Sequence, residues 1–310
     1  MNKILLWGYW GGYNVGDELI LRSELDLIGR DKVIVVVRGS VKYVENLHNV
    51  EAVPFYKATS LVNRYKNVVG GGGLFQDKTS IRNLFYYMYP IIWGRAPFLL
   101  GVGIGPIRHL FSKLLVKNGL RSILLAIVRD RISYKFLKSL GKEFVWQAPD
   151  LTFMLDWDPL VKQNDTIILI PGPALGYYWH RIRRIIDKRK VIVIEFLPNV
   201  DKQWRYLYPS SWHVHDGPKL LLNSELIDLL ASADHWIVGR LHGIILACML
   251  GAKFYPIVYD VKMLLLLQDY CDNLFTSNGY VNISSTKVRN IRNAARRIYS
   301  KVVNYILEEG

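Results

Sequence analysis

An arginine and a histidine, Arg240 and His242, follow the apolar run HWIVG at 235–239. We predict that this run is a buried strand and that a helix begins just after it, so both side chains lie at the carboxyl end of the strand. A guanidinium binds carboxylate or phosphate in a planar, directional way, and an imidazole with an ordinary pKa of ~6.5 can donate a proton at neutral pH. The pair therefore predicts an anion site with a proton donor. Two alternatives for His242 are binding without proton transfer and a purely structural role.

Three glycine-rich segments follow apolar runs in the first half of the chain: GYWGGYNVGDE at 8–18, GGGG at 70–73 and GVGIGP at 101–106. Glycine at a strand end lets backbone N–H groups approach an anion closely. None of the three has the GxGxxG or GxxxxGK[ST] spacing, which argues against NAD and P-loop nucleotides. Each segment alone is more often a tight strand-to-helix turn than a ligand site, but three at one sheet edge favour a ligand site.

The elements that must position these residues are short apolar runs separated by helical patterns, in two successive sets. Continuous runs of this kind are typical of parallel strands buried on both faces. We therefore predict the α/β class, with two Rossmann-like domains facing a cleft, at 1–157 and 165–310, joined by a polar linker near 156–164. The predicted strands lie within 3–8, 32–38, 66–71, 97–103, 123–130, 165–172, 190–196, 235–239 and 253–259.

Two basic segments stand out. The last segment, 284–309, has apolar residues spaced for one helix face, from Val288 to Tyr305, with Lys and Arg between them. This pattern predicts an amphipathic C-terminal helix, which we assign to the second domain. The segment 181–190 contains six basic residues. Either surface is a solvated face or a docking surface for an anionic membrane.

Composition excludes several classes of protein. The 310 residues are 51% hydrophobic and 13% aromatic, which is enough to fill two cores and excludes wholesale disorder. The net charge of +14 favours anionic partners, but no nucleic-acid-binding signature is present, so we expect no nucleic acid. Two cysteines, a chain start without a signal-peptide pattern and no long apolar span predict a cytoplasmic protein, peripheral at most at the inner face of the membrane. No His/Cys cluster has zinc spacing, so we expect no metal.

Five segments, taken in order, resemble the polysaccharide pyruvyl transferase family, especially its branch that acts on bacterial cell-wall polymer. They are GYWGGYNVGDELIL at 8–21, GGGGLFQDKTS at 70–80, GVGIGP at 101–106, VRDRISYKFLKSLG at 128–141 followed by Ala148-Pro149-Asp150, and VGRLHGIILACMLGAKFYPIVYDVKM at 238–263. The resemblance implies a glycosyltransferase-B-like architecture, with the acceptor on the first domain and the donor on the second. It also implies transfer of the pyruvyl group of phosphoenolpyruvate to two sugar hydroxyls as a cyclic ketal, with release of phosphate.

On the donor side, the resemblance makes Arg240-Leu241-His242 the donor-binding element. We predict that Arg240 binds an anionic group and that His242 protonates the methylene carbon. Lys262 would neutralise the departing phosphate, and Arg129 of the first domain would close on the same ligand. Phosphoenolpyruvate is a co-substrate, so no cofactor is expected.

On the acceptor side, the resemblance implies a saccharide, either cell-surface polysaccharide or its lipid-linked precursor. A base must remove the proton from the attacking hydroxyl of this saccharide. We predict Asp17, with Asp77 and Asn14 as alternatives, although Asp17 and Glu18 are also typical partners of a helix N-terminus. The other residues predicted to line the substrate site are Gly11, Gly72, Gly73 and Gly103. Asp130 and Asp150 are interpreted as loop braces.

Two other functions remain open. A glycosyltransferase of the same architecture would place a nucleotide-sugar diphosphate in the same arginine- and glycine-lined site. A non-enzymatic basic protein would bind an anionic membrane or nucleic acid through 181–190 and the terminal helix.

Overall fold

A computed structural model describes residues 3–78, 80–157, 161–162, 164–271 and 279–308. The strands are β1 (Ile4–Trp7), β2 (Val33–Val37), β3 (Ala52–Pro54), β4 (Lys66–Val69), β5 (Gly72–Phe75), β6 (Arg95–Ile104), β7 (Leu125–Val128), β8 (Val145–Gln147), β9 (Thr166–Ile170), β10 (Lys190–Glu195), β11 (His213–Asp216), β12 (His235–Val238) and β13 (Lys253–Pro256).

The α-helices are α1 (Val15–Ile28), α2 (Val41–His48), α3 (Phe55–Ala58), α4 (Ile81–Trp93), α5 (Leu110–Gly119), α6 (Arg131–Ser139), α7 (Leu175–Ile186), α8 (Pro198–Asp201), α9 (Gly217–Leu222), α10 (Leu226–Ala231), α11 (Leu241–Leu250), α12 (Val261–Tyr270) and α13 (Ser285–Glu308). Short 3₁₀ turns lie at Arg30–Lys32, Leu120–Ser122, Leu151–Met154 and Lys202–Leu207. None of the described helices is both long and apolar enough to cross a membrane.

The chain forms two compact units. The first comprises Met1–Gly12, Asp17–Met154 and Arg292–Gly310, and the second comprises Tyr13–Gly16 and Leu155–Ile291. The division after Met154 falls close to the predicted linker at 156–164, of which 158–160 and 163 lie outside the described residues.

The first unit is built on an eight-stranded sheet in which every described pair of strands is parallel. Its order is β3-β2-β1-β4-β6-β7-β8, with β5 paired to β6. Alternate residues of one strand enter different cores: in β2, Val33 and Val35 pack with α1, whereas Ile34 and Val36 pack with α4. Burial on both faces explains why these strands are continuous apolar runs.

The second unit has a five-stranded parallel sheet with the order β11-β10-β9-β12-β13. In both sheets the first strand lies inside and the chain order reverses beside it, at β1/β4 and at β9/β12. This is the strand order of Rossmann-like folds, in which ligands bind beyond the carboxyl ends of the strands at the reversal. The structure therefore confirms the predicted α/β class with two parallel sheets.

All nine predicted strands are present, and four strands were missed: β3, β5, β8 and β11. Three of them, β3, β8 and β11, lie at the edges of their sheets. Edge strands are short and only partly buried, so they lack a long apolar run. The fourth, β5, begins at Gly72 within the segment that was interpreted as a glycine loop, and its register with β6 is irregular.

The last helix differs from its predicted assignment. We expected α13 in the second domain, but from Arg292 onwards it belongs to the first unit. There Ala295, Tyr299 and Val302 are buried in the same core as β1, β2 and α1, and the Tyr299 hydroxyl donates a hydrogen bond to the carbonyl of Pro149 (2.9 Å). The physical reason is that a parallel sheet must be covered on both faces, and α13 supplies part of that cover.

We expect Tyr299→Ala to lower the free energy of unfolding by about 3–5 kcal/mol, because it removes a large aromatic side chain from a packed core. Urea unfolding followed by circular dichroism measures this loss. The control is Tyr305→Ala on the same helix, where the ring is 45% exposed and a much smaller loss is expected. Equal losses in the two variants would contradict the packing of α13 in the first core.

Candidate functional site

The reversal of strand order in the second unit brings two strand ends into close contact. The backbone N–H of Gly239, after β12, donates to the carbonyl of Ile170 at the end of β9 (2.8 Å). A Cβ placed on Gly172 would lie 1.8 Å from the carbonyl oxygen of Gly239, so only glycine permits this approach. Arg240 follows at the N-cap of α11, where it has extended backbone geometry and makes no side-chain cap. The structure thus places Arg240, Leu241 and His242 where the sequence predicted, at the end of β12 and the start of α11.

Arg240 is held by a carboxylate that the sequence did not suggest. Its Nη2 donates to Oδ1 of Asp201, a fully buried residue at the end of α8. Burial raises the pKa of Asp201, and the charge of Arg240 lowers it; the pKa lies above its usual value because burial has the larger effect. Tyr259, in the segment after β13, is close to Arg240: burial raises the pKa of its hydroxyl above the usual value, and the charge of Arg240 partly offsets that rise. Asp201 therefore fixes the guanidinium beside the loop that follows β13.

His242 packs against the first turn of α1. A Cβ on Gly16 would lie 1.9 Å from Nδ1 of His242, so the imidazole occupies the space that a side chain at position 16 would need. Tyr13–Gly16 belongs to the second unit, and the N–H of Val15 donates to the carbonyl of Phe196 after β10 (3.0 Å). Within Tyr13–Gly16, Oδ1 of Asn14, just before α1, accepts the N–H of Gly16 (3.3 Å). The second unit thus collects Arg240, His242 and Asn14 at one edge of its sheet.

Lys262 lies in the first turn of α12, whose N-cap is Asp260. Oδ1 of Asp260 accepts the backbone N–H of Lys262 (2.9 Å), so Asp260 caps the helix. The Lys262 side chain is half-buried, and so is that of Leu241. Both follow strands that end at this edge, β13 and β12.

In the first unit, Arg129 is braced by one of the carboxylates interpreted as loop braces. Its Nη1 donates to Oδ2 of Asp150 (2.7 Å), and both side chains are buried. Burial lowers the pKa of Arg129, but the neighbouring carboxylates, Asp150 first, outweigh it and raise the pKa above its usual value. A Cβ on Gly103 would lie 3.2 Å from Nε of Arg129 and 3.2 Å from Oδ2 of Asp130, so these three residues meet at the ends of β6 and β7.

Asp17 and Glu18, adjacent in the first turn of α1, differ in their surroundings. Glu18 is fully buried and accepts the N–H of Gly11 (2.8 Å) and contacts Nε2 of His48 (3.1 Å), which is a structural role. Asp17 lies near Gly72, where a Cβ would be 3.4 Å from its Oδ1. Its negative charge adds to the effect of burial in raising the pKa of the Tyr87 hydroxyl. Glu18 thus braces the glycine segment at 8–18, whereas Asp17 lies beside the glycine segment at 70–73.

Some residues predicted to line the substrate site have clear structural contacts. Gly11 has a φ of 74° and its carbonyl accepts the N–H of Ser40 (3.0 Å). The Asp77 carboxylate accepts the N–H groups of Arg108 (2.8 Å) and His109 (2.9 Å); burial raises its pKa, but these hydrogen bonds together lower it below its usual value. Asp77 thus anchors the segment before α5. Gly73 lies within β5. Substrate contacts of these residues stay predictions.

Glu24 is a buried acid that the sequence reasoning missed. It lies in α1, and its Oε1 accepts the N–H of Gly71 (2.8 Å) beyond the end of β4. A Cβ on Gly70 would lie 2.5 Å from its Oε2, so a glycine is required there. Complete burial raises the pKa of Glu24 well above its usual value; the Gly71 hydrogen bond lowers it and Asp150 raises it further. A polar residue on the inner side of a helix that faces a glycine run is the signal that could have identified it.

Among the described residues, no group of three or more His, Cys, Asp or Glu side chains could hold a metal ion. The two cysteines, Cys248 and Cys271, are buried and form no disulfide.

At pH values above the ordinary glutamate pKa, we expect Glu24→Gln to have a higher free energy of unfolding than the wild type. The difference should grow as the pH rises. The folded state keeps a proton on Glu24 that the unfolded chain releases, so wild-type stability relative to the variant falls by up to about 1.4 kcal/mol per pH unit until the folded-state pKa is reached. Urea unfolding at several pH values tests this. Glu45→Gln, at an exposed position, is the control. A difference that does not change with pH would mean that Glu24 is ionised in the fold.

The fold and these strand-end residues define the class of protein. Two Rossmann-like parallel sheets make up a glycosyltransferase-B-like fold, and in the second sheet a cationic side chain, that of Arg240, lies at the point of reversal. The UDP-GlcNAc 2-epimerase of Methanocaldococcus jannaschii has a similar structure, with a TM-score of 0.56, 10% identity, and coverage of 98% of this chain and 99% of that chain. The Anabaena protein HepE (Alr3699), solved with UDP and glucose, has a TM-score of 0.52 at 12% identity, covering 100% and 99%. These likenesses show the fold.

The family follows from the sequence match. The family model for polysaccharide pyruvyl transferase matches residues 14–261, most of the chain. The chain belongs to this transferase family, as its five segments had indicated. A comparison with curated proteins found no match.

Proposed function

We propose that the protein transfers the pyruvyl group of phosphoenolpyruvate to two hydroxyls of a saccharide, forming a cyclic ketal and releasing phosphate. The observation that carries the proposal is the pairing of a fixed cation with an adjacent imidazole: Arg240 is clamped by buried Asp201, and His242, two residues later, is packed against Gly16. Membership of the family supports the same reaction.

Donor binding requires cations for two anionic groups. Phosphoenolpyruvate carries a carboxylate and a phosphate, and a guanidinium can bind either with two parallel hydrogen bonds. Asp201 accepts from Nη2 of Arg240, so it orients the guanidinium plane while the side chain remains partly accessible. Lys262, in the first turn of α12 after the neighbouring strand β13, is proposed to neutralise the phosphate as it leaves. The contact of Arg129 with the ligand stays a prediction.

The chemical step needs an acid and a base. In the proposal, His242 gives a proton to the methylene carbon of the donor, and positive charge develops at the adjacent carbon that carries the phosphate oxygen. A sugar hydroxyl attacks that carbon and gives its proton to a base, for which we retain Asp17. The bond from this carbon to the phosphate oxygen then breaks, and a second hydroxyl completes the ketal with loss of its proton. One proton is thus added to carbon and two leave oxygen, and inorganic phosphate carries away the difference.

The acceptor is proposed to be a cell-surface polysaccharide or its lipid-linked precursor. A lipid-linked acceptor would place the reaction at the inner face of the membrane, which stays a prediction, as does the cytoplasmic location.

We expect phosphoenolpyruvate to raise the thermal midpoint of the wild-type protein, since a ligand at 100 times its Kd adds about 2.7 kcal/mol to stability. Arg240→Lys should lower the affinity about tenfold or more, because lysine lacks the planar fork. Lysine is preferable to alanine here, since Arg240→Ala would leave the buried Asp201 carboxylate without its cation.

The matched control is Arg205→Lys. Arg205 donates to Glu195, the last residue of β10 (2.8 and 2.7 Å), so this variant changes a paired arginine of the same unit and should keep the wild-type response. Stabilisation by UDP-glucose with no response to phosphoenolpyruvate would instead favour the nucleotide-sugar alternative.

His242→Gln should keep the thermal response to phosphoenolpyruvate and lose turnover by about 10²–10⁴-fold, which is the usual contribution of a general acid. Phosphate release in the presence of a panel of methyl glycosides measures the turnover. His180→Gln, an exposed histidine on α7, is the control. Wild-type turnover in the His242 variant would remove that residue from the proton-donor role.

A further inference from the structure

One stretch of the first unit combines positive charge with exposed apolar side chains. No Asp or Glu lies between Asp77 and Asp130, although this stretch contains eight Lys or Arg residues. The chain as a whole has 26 acidic residues for 40 basic ones. The stretch includes α4 and α5, and Asp77 turns its carboxylate to the backbone at the start of α5.

Helix α5 faces outward with its large apolar side chains. Leu110, Phe111 and Leu114 are 73%, 57% and 51% exposed, whereas the helix buries Ser112 and Val116 and packs half-buried Leu115 against the core of the first unit. A helix packed on a soluble core normally has the opposite arrangement. The outward face of α5 is therefore built to contact something other than water.

Helix α4 extends this surface. The rings of Phe85 and Phe111 lie 6.0 Å apart between centroids, and Ile81 lies one turn before Phe85. We call the exposed side chains Ile81, Phe85, Leu110, Phe111 and Leu114 the α4–α5 patch. A contiguous exposed apolar surface of this kind marks an interaction site rather than ordinary surface.

Four exposed cations lie on the same two helices and the segment before α5. These residues, the basic rim, are Arg82, Arg108, Lys113 and Lys117. Lys113 and Lys117 are spaced by four residues, so they lie on one side of α5 next to Leu114. None of the four has a salt bridge to any residue in the described part of the chain. Their charge is thus available to an external anion.

We propose that the α4–α5 patch and its basic rim form the surface that docks the protein on an anionic lipid membrane. Leucine and phenylalanine side chains would enter the headgroup–acyl boundary while the lysines remain with the lipid phosphates, as in helices that lie in a membrane interface. Charge complementarity selects this occupant: a second copy of the chain would bring another basic rim against the first and be repelled.

This surface differs from the two that the sequence suggested. Most of the apolar side of α13 is already buried, at Ala295, Tyr299 and Val302, and Tyr305 is the large apolar side chain that this helix leaves exposed. In α7, Leu175, Ile182 and Ile186 are buried in the second core. Among α5, α7 and α13, only α5 has exposed leucine side chains, Leu110 and Leu114, next to exposed lysines.

Vesicle cosedimentation of the full-length protein tests the proposal, without donor or acceptor. We expect binding to equimolar phosphatidylglycerol–phosphatidylcholine vesicles, weakened by salt, and little binding to phosphatidylcholine alone. A triple variant, Leu110→Gln with Phe111→Ser and Leu114→Gln, should lower the partition coefficient about tenfold or more. Lys113→Gln with Lys117→Gln should do the same on the anionic vesicles. All five side chains are exposed, so the fold should be retained, which circular dichroism checks.

The control is Arg183→Gln with Arg184→Gln on α7, which removes the same charge from another exposed basic face. Loss of binding in this control alone would overturn the proposal in favour of α7, and absence of binding by the wild type would overturn it outright. A wild-type dimer that the triple variant converts to a monomer, seen by analytical ultracentrifugation, would assign the patch to a second copy. The vesicle experiment uses no phosphoenolpyruvate, so a lack of membrane binding would not contradict the proposed transfer reaction. The thermal-shift experiment tests that reaction separately.

Discussion

The parallel strands of each unit all end at the same edge of their sheet, and the functional interpretation of this protein depends on that constraint. A residue that follows a strand is brought near residues that follow neighbouring strands, however far apart they are in sequence. In the second unit this places Arg240 and Lys262, which follow β12 and β13, at the same edge. In the first unit it places Arg129, after β7, against Gly103 near the end of β6.

Buried carboxylates position the cations at both edges. Asp150 holds Arg129 and Asp201 holds Arg240, and in each pair the acid is the more deeply buried partner. Such pairs contribute little net stability, because desolvation offsets much of the attraction. Their effect is geometric: a long, flexible side chain is restricted to one orientation before any ligand arrives, which lowers the entropic cost of binding an anion. The same carboxylates make these arginines sensitive to truncation.

The sequence predicted the main architecture well because buried parallel strands have a clear pattern. It failed where burial is partial, at the edge strands β3, β8 and β11, and at β5, whose glycines are equally typical of a loop. It found Arg240 and His242 from their place after a strand. It missed Asp201 and Glu24, because their partners are distant in sequence: Asp201 lies 39 residues from Arg240, and Glu24 contacts Gly71 across 47 residues.

The amino-acid pattern by itself determined the α/β class, the two successive sheets, the family and the position of the Arg-Leu-His triplet at a strand end, since each of these is encoded in neighbouring residues. Only the tertiary structure decided which side chains meet. It assigned α13 to the first core and left Leu110, Phe111 and Leu114 of α5 exposed. The physical reason is that an amphipathic helix has the same sequence pattern whether its apolar face meets its own sheet, another unit or a membrane, and only the packing of the whole chain determines which of these faces is already covered.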